Sequence, residues 1–126
     1  MSTSYNGWQA SSDPRAIGVA AFSAGGVSFP SGVKSGDVAT VLRYVADQFD
    51  VRVESLVAGW CWGYAYRQNR NASNLSCHSS GTAIDCNAPS HPNGARGTFS
   101  AAQVRTIRAI LAEVDRQLQT LPRADI

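Results

Sequence analysis

Lysine is almost absent from this chain. Lys34 is the only one, and charged residues make up 16% of the 126, with a formal net charge of +2. A surface that tracks a phosphate backbone needs clustered Lys and Arg, so charge this sparse and dispersed excludes nucleic acid as the expected partner. Long apolar runs are missing too. No stretch approaches the roughly 18 to 20 residues that cross a bilayer, and the start, MSTSYNGWQ, has neither the basic nor the apolar segment of a secretory signal. We therefore expect no membrane span and no signal peptide. Cysteine is scarce and odd in number: Cys61, Cys77 and Cys86. Three are too few for a secreted disulfide scaffold and leave at least one unpaired in a monomer, so cysteine usage does not choose a compartment. What is present, 44% apolar residues, argues against disorder, because a chain of this length buries roughly two thirds of its unfolded surface around one core. Residues 1–126 read as a single domain.

Residues 1–36 are rich in Ser, Gly and Ala and carry Pro14 and Pro30 around short apolar stretches at 17–22 and 27–29, the pattern of loops with one or two short strands. Val38, Val41, Leu42, Val45 and Phe49 then recur at helical spacing, with Ser35 or Asp37 available as the N-cap. In WCWGYAY, residues 60–66, strict alternation puts Trp60, Trp62, Tyr64 and Tyr66 on one side and Cys61, Gly63 and Ala65 on the other, which predicts a strand. Its aromatic side reads either as packing on the preceding helix, the commoner fate of such rings, or as a platform for sugar or peptide. Polar, turn-forming loops occupy 68–74 and 87–98. Ser100 and Gln103 then form a capping box, and Phe99 with Val104 a hydrophobic staple. Val104, Ile107, Leu111, Val114, Leu118 and Leu121 continue at 3-4 spacing until Pro122, predicting a long C-terminal helix over 100–121. Its seam is expected on the chain's own sheet or, in the distal half, against another copy or another protein.

The stretch from Ser76 to Asp85 carries the chemistry. If 75–78 and 82–86 are extended arms of a turn at Ser79, Ser80 and Gly81, His78 and Asp85 converge on one face, with small Ala83 leaving room beside them. An imidazole and a carboxylate are good zinc ligands, and a catalytic zinc usually takes three protein groups and a water. Cys77 and Cys86 are out of phase with this pair and are expected to face the core, as a buried free pair or as a disulfide closing the loop.

Ser76, His78, Gly81, Ala83 and Asp85 stand as S-x-H-x-x-G-x-A-x-D in the run SCHSSGTAID. This resembles the zinc-binding signature of the D-alanyl-D-alanine carboxypeptidase and L-alanyl-D-glutamate endopeptidase family, cell-wall peptidases of bacteria and of bacteriophage endolysins. NGWQASSDPRAIGV, WGYAYR and HPNGARGTF likewise resemble parts of actinobacteriophage lysin peptidase modules, so the likeness covers nearly the whole chain. The resemblance implies an α+β fold, a small antiparallel sheet packed by helices as in the hedgehog and DD-peptidase-like zinc peptidases, with Zn2+ in a groove. It implies His78 and Asp85 as metal ligands, Ser76 as their support, and Arg67 as the group that holds the substrate or the developing oxyanion. The implied activity is metal-assisted hydrolysis of a peptidoglycan stem peptide at the cell wall, by a phage-encoded or bacterial protein. The family completes its site on a C-terminal strand bearing an acidic base and a histidine, whereas this sequence ends at PRADI with no histidine after His91. Three explanations follow: the chain is a piece of a longer polypeptide, or a degenerate relative that keeps the fold for binding or assembly, or a local residue substitutes. The local candidates are His91, Cys77 and Cys86. His91, in the HPNG segment, reads otherwise as a loop histidine.

Overall fold

Glycines and prolines cut the first third of the chain into pieces too short for long strands. The computed structural model, which describes residues 2–69 and 73–119, shows four strands of two residues each: β1 (Val19–Ala20), β2 (Ser23–Ala24), β3 (Val27–Ser28) and β4 (Val33–Lys34). β2 and β3 pair antiparallel across the Gly25-Gly26 turn, Ala24 opposite Val27. β1 and β4 pair antiparallel outside them, Ala20 opposite Val33. Between these nested sheets Phe22 and Phe29 meet edge to face at 5.2 Å.

α1 spans Asp37–Arg52 and buries Ala46 and Phe49. Its N-cap is Gly36, with no side-chain cap bond, so neither Ser35 nor Asp37 fills the expected role. The Ser35 hydroxyl is committed elsewhere, to the Gly18 carbonyl at 3.0 Å. Asp37 lies in the first turn, where its negative charge suits the helix dipole.

α2 spans Ala101–Gln119. The capping box forms as expected: the Gln103 N–H donates to Ser100 Oγ at 3.1 Å and the Ser100 N–H to Gln103 Oε1 at 2.8 Å. The seam differs. α2 lies on α1 and not on a sheet, Ile110 is its buried residue, and Leu111 is 52% exposed. The polar partners on and after α1 explain the rotation: Tyr44 and Arg52 both donate to Glu113, and the Gln103 amide donates to the Val53 carbonyl. Meeting these acceptors and donors turns Ile110 inward and Leu111 out. Leu121 and Pro122 lie outside the described residues.

The described residues thus form a small α+β fold of two α-helices and two antiparallel sheets of two strands. Phe22, Phe29, Val33, Ala46, Phe49, Leu56 and Cys61 form the core, with Ile84, Cys86, Phe99 and Ile107 packed against it. Among the described residues no helix is long and apolar enough to cross a membrane.

Residues 60–66 are not a strand. Isolated bridges, Trp62 to Asp85 and Gln68 to Leu75, hold this part of the chain. The parity of the alternation survives, but in the opposite sense to packing on α1: Cys61 and Gly63 are buried, while Trp60, Trp62 and Tyr66 are 38%, 40% and 46% exposed. Backbone contact forces this. Gly63 donates to the Pro30 carbonyl and Tyr64 to that of Gly32, so the segment presses its small-residue face on the β3–β4 connection and turns its rings out.

Candidate metal site and its groove

The motif Ser76 to Gly81 is a capped turn and not one arm of a hairpin. Ser76 is the N-cap, its Oγ accepting the His78 N–H, and Cys77–Ser80 form a 3-10 helix. Gly81 closes it in the left-handed region, φ 72°, its N–H donating to the carbonyls of Cys77 and His78. Glycine is required there twice over, by the backbone angle and because a Cβ would stand 2.9 Å from the Lys34 nitrogen. Ser79, fully buried, ties the turn to the preceding segment: its Oγ accepts the Arg67 N–H and bonds the Arg67 carbonyl. Ser76 and Gly81 thus fix the turn that carries His78, and Ser79 sets Arg67 at the rim.

Within that turn His78 is 8% exposed. Its Nδ1 lies 2.8 Å from the Gly63 carbonyl oxygen, which can only accept, so Nδ1 carries a proton and donates. Nε2 points the other way and stands 3.3 Å from Asp85 Oδ1. In neutral imidazole this leaves a lone pair facing a carboxylate, an arrangement that calls for a proton or a cation between the two. The hydrogen bond from His78, foremost, and the charges of His78 and Arg67 hold the Asp85 carboxyl below its ordinary range, although burial pushes it the other way. Zinc bound at about 2.0 to 2.2 Å to both atoms in a tetrahedral arrangement would space them roughly 3.4 Å apart. The two residues therefore fit two positions of a zinc site, with the Gly63 carbonyl in the place where metal-bound histidines keep an orienting acceptor.

Both residues open on a groove of about 850 Å³ that Arg67, Ser76, Cys77 and Ala83 also line, with His91 and Pro92 across it. No family model, curated protein or solved structure matches this chain. Geometry alone therefore assigns the other candidates.

Cys77 lines the groove and does not face the core, because the 3-10 turn breaks the strand phase on which the inward expectation rested. All three cysteines are free. Cys86 packs against the core near Cys61, and burial pushes its thiol up to about 12. His91 lies on the groove wall with both ring nitrogens engaged, Nε2 with Glu54 Oε2 at 2.9 Å and Nδ1 with Thr98 Oγ1 at 2.8 Å, and its ring stacks on Phe99 at 3.6 Å. Burial works to raise the Glu54 carboxyl, and the bonds from Asn87 and His91 outweigh it and leave it below its ordinary range. Among the described residues, no group of three or more His, Cys, Asp or Glu side chains is placed to hold a metal.

Sequence reasoning missed Gly63, Ser79, Glu54 and Asn87. Gly63 and Ser79 act through atoms that residue type does not advertise, a backbone carbonyl and a buried hydroxyl. Asn87 accepts the Val57 N–H and donates to Glu54. Its left-handed backbone, φ 53°, is typical of Asn in tight turns, and that was the one available signal.

Proposed function

We propose that this chain is a zinc-peptidase-fold domain of the endolysin kind, acting on peptidoglycan stem peptides at the bacterial cell wall, with His78 and Asp85 as zinc ligands. The observation that carries this reading is the approach of His78 Nε2 to Asp85 Oδ1 at 3.3 Å, with His78 Nδ1 committed to the Gly63 carbonyl on the other side of the ring. Zinc, when bound, supplies an activated water and polarises a carbonyl. The protein's own contribution is positional. The Gly63 carbonyl orients the imidazole and raises its basicity, Ser76 holds the His78 backbone, and the groove is large enough for several residues of an extended peptide. Arg67, exposed at the rim, offers a fixed positive charge to a substrate carboxylate or to a developing oxyanion.

A second reading, a catalytically incomplete relative that binds cell wall or serves as a structural phage tail or lysis module, is favoured by one observation: the described residues supply two ligands, where a catalytic zinc usually takes three. One experiment separates the two. Zinc bound per chain is measured by equilibrium dialysis, and stem-peptide cleavage by release of new amino termini from purified cell walls. The peptidase reading expects stoichiometric zinc, cleavage, and zinc affinity at least about 100-fold weaker in His78→Ala. Zinc without cleavage, or no zinc at all, selects the second reading, and unchanged zinc affinity in His78→Ala removes His78 from the metal site.

A further inference from the structure

The peptidoglycan reading accounts for the groove but not for the two tryptophans beside it. Trp62 and Asp85 are bridge partners: the Trp62 N–H donates to the Asp85 carbonyl at 3.1 Å and the Asp85 N–H to the Trp62 carbonyl at 2.8 Å. Directly opposed residues of an antiparallel pair project to the same face, with Cβ atoms about 5 Å apart. Asp85 lines the groove, so Trp62, though not itself a lining residue, is the bridge partner of one and shares its face. Trp60, two residues before it, shares its parity across fully buried Cys61. The backbone beneath both rings is fixed, since Trp60 donates to the Val57 carbonyl and accepts from Ala88. Trp60 and Trp62 are 38% and 40% exposed, each partly embedded and partly open to solvent.

The size of this surface narrows its occupant. A Trp side chain offers at most about 250 Å², so the two rings present roughly 200 Å² of aromatic surface, far below the roughly 800 Å² per partner of a stable protein interface. It matches one small ring stacked on each face. An indole gives a flat apolar face with one N–H at its edge, suited to a ligand that is apolar on its faces and polar at its rim. A pyranose ring has that character, with C–H groups on its faces and hydroxyls around its edge.

We propose that Trp62, with Trp60 beside it, is a saccharide-stacking platform that holds the glycan strand while the attached stem peptide lies in the groove past Asp85. This deepens the peptidoglycan reading, on which the identity of the sugar rests. A polymer held at its glycan presents the peptide to His78, Asp85 and Arg67 at high local concentration.

The test titrates the full chain with a peptide-free β-1,4-linked N-acetylglucosamine tetramer, followed by tryptophan fluorescence and calorimetry. We expect saturable binding, about tenfold weaker in Trp62→Ala and within about threefold of the parent in Trp62→Tyr, because stacking needs an aromatic face and not an indole as such. Trp60→Ala, expected to weaken binding in the same direction, covers the case in which Trp62→Ala does not fold. Absence of saturable binding up to about 10 mM overturns the platform, as does an affinity equal to the parent's in both the Trp62→Ala and the Trp60→Ala chains. Trp62-dependent binding of a sugar-free stem peptide without any binding of the tetramer also overturns it. The zinc measurement keeps the two proposals apart. A chain that binds the tetramer through Trp62 and holds no zinc loses the peptidase reading alone, and one that holds zinc at His78 and binds no tetramer loses the platform alone.

Discussion

A Cβ on residue 63 would stand 2.1 Å from the Gly32 carbonyl oxygen, and the carbonyl of the same residue accepts the His78 Nδ1 proton. One position thus joins the packing of two backbones to the orientation of the imidazole. Gly63→Ala is expected to lower stability by about 2 to 3 kcal/mol, since backbone must move to admit the methyl, and to weaken zinc binding by about tenfold, since the orienting carbonyl moves with it. Urea unfolding and a zinc titration on the same variant check both; a stable variant with parental zinc affinity would show that this carbonyl does not position the ring. The convergence of His78 and Asp85 was legible in the sequence because a short turn-forming run separates them. Gly63 was not, because its role depends on a backbone met far earlier in the chain.

The two helices meet through a carboxylate. Arg52 donates to both oxygens of Glu113, at 2.9 and 3.0 Å, and the Tyr44 hydroxyl donates at 2.7 Å. These bonds, that of Arg52 first, bring the Glu113 carboxyl down from 4.5 to about 2. The folded pKa is depressed, so the unfolded chain takes up the proton first as pH falls. The contribution to stability is complete above about 4.5 and is lost between there and about 2. Glu113→Gln is accordingly expected to lower the thermal midpoint at pH 6 and to approach the parent at pH 2, and a gap that persists unchanged at pH 2 would argue against this linkage. At this scale the capping box of α2 was readable, because all its atoms lie within three residues. The rotation of α2 was not, since Tyr44 and Arg52 on α1 decide it. A strict 3-4 seam also drifts around a straight helix of 3.6 residues per turn.

Across the whole molecule, thiol exposure should report the fold. Cys61 is fully buried in the core, while Cys77 is half-buried on the groove. A thiol reagent applied to the native protein should label Cys77 first and Cys61 only at the rate of global opening. Mass spectrometry of timed samples reads this, and equal rates would contradict the core assignment. The sequence by itself determined what depends on neighbours along the chain: both helices, the α2 cap, and the Ser76 to Gly81 run that places a histidine near an aspartate; the α+β class it carried only through the family resemblance. It also carried the alternation of 60–66. Which side of that alternation faces in was decided only by tertiary structure, because the missing Cβ of Gly63 lets its backbone touch the Gly32 carbonyl where a larger residue would hold the two apart. The same contact brings a carbonyl to His78 and leaves Trp60 and Trp62 outside. The periodicity of a strand says that two faces differ, but close approach between distant segments chooses which one is buried.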